Sequence, residues 1–258
     1  MSDLQTYQYV LIGLIFIWSG FVRTGLGFGG SVLSLPFLLL VHNDPLVFMP
    51  LIAVHLLFFS SLIAWQGFRK ARAGSSDAQQ SQIDWTYLKH ALKIMIVPKL
   101  IGVIGLITLP ASFLTVLIFG IIFIYSLTYI FNKPFKSNHP AVDVLLLMLG
   151  GYVSGTSLVA APLIMAVFAT HVAKEKLRDT LFVLWFILVT IKLASLIIAG
   201  VNLQLIHHLW LLPCAFIGHL FGERLHQRLV TTSTTTFFRI LGVMLLIVSI
   251  IGVLGTPL

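Results

Sequence analysis

The chain has 258 residues, of which 58% are hydrophobic and 9% charged, and its mean hydropathy is +1.03. Soluble domains carry roughly 25% charged residues, so this composition excludes a soluble enzyme or binding module and indicates an integral membrane protein. The formal net charge of +8 does not point to nucleic acid, because the basic residues sit in short runs beside apolar segments, where topology signals belong.

In chain order, the first eight residues, MSDLQTYQ, contain no Lys or Arg, and no small-residue cleavage site follows the apolar run. No removable signal peptide is expected. Apolar segments then run over 9–41, 46–66, 88–108, 111–131, 142–169, 180–199, 205–222 and 237–256. Most match the ~20 residues that a helix needs to cross ~30 Å of hydrocarbon. The first and fifth are too long for one crossing, and Gly, Ser and Thr interrupt them. Their limbs 9–22 and 157–169 read as too short to cross alone. The polar stretch 67–87, containing RKARAGSSDAQQSQ, reads as a flexible cytoplasmic connection. Cys214 is the sole cysteine, so no intrachain disulfide forms.

Charge parity decides how the two long segments are drawn. With eight single crossings, Arg69, Lys70, Arg72, Lys89, Lys93, Lys133 and Lys136 face Lys174, Lys176, Arg178, Arg224, Arg228 and Arg239 across the membrane. If the first and fifth segments instead enter and return on one side, all these cations share one face, which becomes cytoplasmic with both termini outside. Each half is then a broken helix or re-entrant hairpin plus three transmembrane helices. That odd number of crossings inverts the second half relative to the first. The predicted fold is therefore all-α and integral to the membrane, with two inverted repeats, 1–131 and 142–258, joined by 132–141. Gly29-Gly30-Ser31 with Pro36 matches Gly155-Thr156-Ser157 with Pro162 at a constant offset of 126, and VPKLIGVIG at 97–105 loosely echoes LPCAFIGHLFG at 212–222.

Non-helical backbone at membrane depth survives where protein or a water-filled cavity surrounds it, so the breaks mark a candidate site. Gly25 and Gly27 with Pro36, and Pro162 in the second half, would shape them. Helices restarting at Ser31 and Ser157 would aim two N-termini at the midplane, and such ends attract anions. Gly25 and Gly29 also form GxxxG, which reads equally as close helix packing. GLGFGG at 25–30 satisfies the dinucleotide fingerprint, but no strand or βαβ unit surrounds it. Arg23, Lys99 and Lys192 are deep cations with no comparably deep carboxylate, each carrying an insertion cost of roughly 3 kcal/mol. An anionic ligand is the expected partner, snorkelling of the lysines the plainer alternative. His55 and His219 are candidate proton-relay groups, with a packed, hydrogen-bonded histidine as the plainer reading. No spacing suggests a metal or a cofactor.

GLGFGGSVLSLPFLLL at 25–40, GGYVSGTSLVAAPLIMA at 150–166 and GHLFGERLHQRL at 218–229 resemble the sulfite exporter TauE/SafE family, also called the toluene sulfonate uptake permease family. The likeness covers nearly the whole chain. It departs in placing Ser31 where a third glycine is usual, and Thr156 and Ser157 in the second half. The resemblance implies a carrier of sulfite, sulfonates or related small anions.

The expected function is export of a small oxyanion by alternating access around a midplane site in the cell (inner) membrane, and no enzymatic activity. Arg23, Lys99 and Lys192 would supply charge, and Gly29, Gly30, Ser31, Gly155, Thr156 and Ser157 directional hydrogen bonds. Expected partners are the anion and the lipid bilayer, and a homo-oligomer is compatible with the sequence. The absence of a deep carboxylate suits uncoupled or weakly coupled export. Two other readings stand beside this one. A passive anion channel would also use cationic pore residues. An intramembrane serine hydrolase would need Ser154 or Ser157 with His219 as base, without the usual nucleophile motif.

Overall fold

A computed structural model of the protein describes residues 4–26, 30–72, 83–133, 135–137, 139–229 and 235–256. It is all-helical: α1 Thr6–Leu26, α2 Gly30–Val41, α3 Pro45–Arg72, α4 Trp85–Thr108, α5 Ala111–Ile130, α6 Pro140–Thr156, α7 Ala161–His171, α8 Lys174–Ile198, α9 Leu205–Leu229 and α10 Thr235–Gly255. Among the described residues, five helices are long and apolar enough to cross a membrane. Side chains such as Ile198, Leu209 and Leu254 stand largely exposed, as expected where lipid rather than water is the solvent. The charged and polar starts are capped: the Asp84 carboxylate accepts the Tyr87 N–H at 2.9 Å, and Pro140 opens α6 at a position where its missing N–H is harmless.

Both long apolar segments are broken, and both fold back. The Gln8 side chain at the start of α1 donates to the Val41 carbonyl at the end of α2, 2.7 Å away. In the second half, His171 at the end of α7 pairs with Asp143 at the start of α6 at 2.8 Å, and Thr170 donates to the Ser137 carbonyl. Each segment therefore leaves on the side where it entered. At 21 residues, α1 extends over about 31 Å, longer than the limb 9–22 expected from the sequence, but it is not among the five helices both long and apolar enough to cross; α2, of 12 residues, returns along it.

The most extensive helix pairings survive exchanging α1–α5 for α6–α10, whereas the packing of α2 on α10 has no comparable counterpart. The most extensive contacts are α1 with α9 and α4 with α6, which exchange into one another, while α5–α10 and α3–α8 map onto themselves. Glycines make the first two seams. A Cβ on Gly218 would overlap the Ile17 carbonyl oxygen, and one on Gly20 the Ala215 carbonyl oxygen. On the other seam, one on Gly102 would overlap the Tyr152 oxygen and one on Gly155 the Lys99 oxygen.

These equivalences correct the repeat register. Gly155 follows Gly20 by 135 residues, and Tyr152 follows Ile17 by the same number, so the halves correspond at 135 along α1 and α6 rather than at 126. The restart expected at Ser157 also moves: α7 begins at Ala161, and Ser157 caps the C-terminus of α6. Pro36 lies inside α2 instead of at its break, while Pro162 does occupy the first turn of α7. Gly25 falls within α1; Gly27 and Gly29 lie outside the described residues. The connection expected from residue 67 starts later, because α3 stays helical to Arg72; residues 73–82 of it lie outside the described residues.

Fold-back has a direct consequence for labelling. Cysteines placed at Lys136 and Glu175, both exposed and flanking the α6–α7 hairpin, should react with an impermeant thiol reagent from the same side, the cytoplasmic one. Reaction from opposite sides would mean that the segment crosses once.

Candidate functional site

The two hairpin tips meet. The Ser31 hydroxyl, one residue into α2, donates to the Leu158 carbonyl in the turn between α6 and α7 at 2.7 Å. Leu158 holds φ at 60°, a left-handed conformation rare for a branched side chain and one that often marks a functional position. Between the tips lies a cavity of about 60 Å³, lined by Arg23, Gly30, Ser31, Ser154, Leu158, Ala160 and Ala161, with Ser60 of α3 and Trp185 of α8 on its wall. That is more than the ~10–15 Å³ that one water molecule needs, so a small ion has room there.

Two helix N-termini face this space, α2 at Gly30–Ser31 and α7 at Ala160–Ala161. Their free N–H groups and partial positive charge favour an anion. Arg23 stands at the same place. Its guanidinium lies 3.9 Å from the centre of the Phe59 ring, and its Nε and Nη2 are buried with no hydrogen-bond partner. A Cβ on Gly30 would come within 2.8 Å of the Arg23 Cβ; the glycine is what lets the arginine pass beside the α2 terminus.

Lys99 and Lys192 are fully buried and converge on one residue of α6. Lys99 Nζ reaches the Ser154 carbonyl oxygen at 3.3 Å and Ser154 Oγ at 3.2 Å; Lys192 Nζ reaches the same carbonyl at 3.5 Å and Met49 Sδ at 3.7 Å. That carbonyl belongs to the last turn of α6, which the break leaves without its helical N–H partner. The lysines thus sit one layer behind the cavity wall and meet the negative end of a helix dipole.

The remaining expected ligands are arranged otherwise. Gly155 is pressed into the α4–α6 seam. The hydroxyls of Thr156 and Ser157 donate to carbonyls of their own helix, and neither residue lines the cavity. His219 is bonded to Thr24 at 2.7 Å and its ring is 5.6 Å from Phe59, so it borders the arginine site. His55 is bound at Nδ1 to the Leu51 carbonyl at 2.7 Å and packs on His208 with ring centres 5.1 Å apart. Sequence reasoning did not single out His208 or Phe59, since a ring in an apolar helix reads as core. Ser154 was considered only as a nucleophile; its hydroxyl donates to Gly151 and accepts from Lys99, and that of Ser157 donates to Val153, so neither is set against His219. Among the described residues no group of His, Cys, Asp and Glu has metal-holding geometry.

No curated protein and no solved structure matches the chain. Residues 11–251 match the family model described as Sulfite exporter TauE/SafE, a transporter family, and the chain belongs to it.

Proposed function

We propose that this multi-pass membrane protein is a secondary transporter that carries a small sulfur oxyanion, such as sulfite, a sulfate-like anion or a short organosulfonate, out across the cell (inner) membrane. The observation that carries the reading is Arg23. A buried guanidinium with two unpartnered nitrogens, between two helix N-termini and beside a small cavity, offers the planar fork that binds two oxygens of an oxyanion at once. The backbone N–H groups at Gly30 and Ala161 supply further donors, Ser31 adds its hydroxyl once that leaves the Leu158 carbonyl, and Lys99 and Lys192 add positive potential through Ser154. A membrane potential negative inside drives an anion outward by roughly 2.3 kcal/mol per charge per 100 mV.

The halves 1–131 and 142–258 are inverted repeats in this reading, but they do not serve as the moving bodies. The glycine seams fasten α1 to α9 and α4 to α6 across the halves. The units that rock are instead α1–α2–α9 and α6–α7–α4, each carrying one hairpin tip, and the Ser31–Leu158 bond is broken and remade as they move.

Sulfite should raise the melting temperature of the purified protein, a ligand at 100 times its Kd contributing about 2.7 kcal/mol. In proteoliposomes, sulfite efflux should saturate and should accelerate with sulfite on the far side. Efflux without saturation or trans-stimulation would make the protein a channel, and the absence of any sulfite effect would remove the anion site.

A further inference from the structure

We propose that Lys192 is a proton-binding site linked to the anion site, so that each anion bound brings one proton from solution onto the Lys192 nitrogen. The inference rests on the anion-carrier reading and adds its coupling ion.

The argument is one of donors, acceptors and charge. An ammonium has three N–H donors, a neutral amine two and a lone pair. Lys192 is fully buried and has two long-range partners among the described residues, the Ser154 carbonyl at 3.5 Å and the Met49 thioether at 3.7 Å. Two acceptors match a neutral amine. Lys99 is better served, with two oxygens of Ser154 at 3.2 and 3.3 Å. The two amino groups share one carbonyl oxygen, so two full charges there repel at short range in a low-dielectric setting. Among the described residues, the other basic groups of the helix interior are Arg23 on α1, Lys99 on α4, His55 on α3, and His208 and His219 on α9, and no buried carboxylate accompanies them. Asp143 lies at the other end of α6, engaged with His171.

Into this excess of positive groups the transported anion brings the missing negative charge. Ser154 both lines the cavity and holds the two lysines, so an anion beside it is one residue away from Lys192 Nζ. The anion then favours the ammonium form, and the lone pair takes up a proton that enters from water with the ion. The new N–H bond forms as a hydronium ion or a buffer acid in the surrounding water gives up its proton, and no other bond changes. A carrier that moves a proton with its anion responds to a pH gradient, and an uncoupled exporter responds to the membrane potential alone.

Calorimetric titration of sulfite into purified protein at mildly alkaline pH, repeated in two buffers of different ionisation enthalpy, counts the protons taken up. The wild type should take up about one proton per sulfite. Lys192→Arg, which keeps a permanent charge, and Lys192→Met, which removes it, should take up none, with folding checked by thermal melting. Uptake that persists in either variant would place the proton on sulfite itself or on another group such as Lys99 and overturn the proposal. So would a wild type that binds sulfite without uptake. If the wild type does not bind sulfite at all, the carrier reading falls first and the coupling with it.

Discussion

An Arg23→Gln protein is expected to lose sulfite efflux by about 100-fold or more while melting no lower than the wild type. Glutamine removes the charge and the planar fork together. Two charge-assisted hydrogen bonds to a desolvated oxyanion contribute about 3–6 kcal/mol, which is a loss of about 100-fold or more in affinity. The same substitution removes a buried cation whose insertion is unfavourable by roughly 3 kcal/mol. The contact with Phe59 at 3.9 Å offsets part of that, by about 1–2 kcal/mol when desolvated, so stability is expected to hold or rise. Arg23→Lys keeps the charge without the fork and should fall between. Efflux and melting temperature measured on the three proteins separate the alternatives: normal efflux by an Arg23→Gln protein would make the arginine a packing group.

The hairpins were legible because lysine and arginine report topology directly, and one parity count places thirteen cations on a single face. The contacts Gln8–Val41 and Asp143–His171 agree with it. The register of the repeat was less legible. Both hairpin tips need small residues, so similar Gly-Ser tracts occur at both. In the first half, however, Gly30 and Ser31 begin a helix, whereas Gly155 and Thr156 end one. Matching the tracts aligned residues on opposite sides of the two breaks. Lys99 and Lys192 were visible as charges in apolar runs, but their partner was not, because a backbone carbonyl freed by a helix end has no signature of its own in the sequence. The same holds for Gly155: as a glycine near a break it reads as a ligand, and its packing against the Lys99 carbonyl, 56 residues away in sequence, depends on a distant helix.

Alanine at Gly218 or at Gly155 is expected to be among the most damaging substitutions outside the cavity, lowering stability by about 3 kcal/mol or more. At both positions the added Cβ overlaps a backbone carbonyl oxygen of the facing helix, Ile17 for Gly218 and Lys99 for Gly155. A side chain could change rotamer to make room; a carbonyl in a hydrogen-bonded helix cannot, so the helices must separate along the whole seam. Gly120 of α5 supplies the control. A Cβ there meets nothing within 4 Å, and alanine should raise stability by up to about 1 kcal/mol through helix propensity alone. The pair of seams also bears on transport, because backbone packed on backbone leaves no layer of side chains to slide. Helices α1 and α9 must therefore move together, as must α4 and α6. Melting temperatures of the three variants test the packing. A disulfide introduced across the α1–α9 seam, which should leave sulfite efflux unchanged, tests the motion. Loss of efflux on closing that disulfide, restored on reduction, would show that the seam opens during transport and that the rocking units are divided elsewhere.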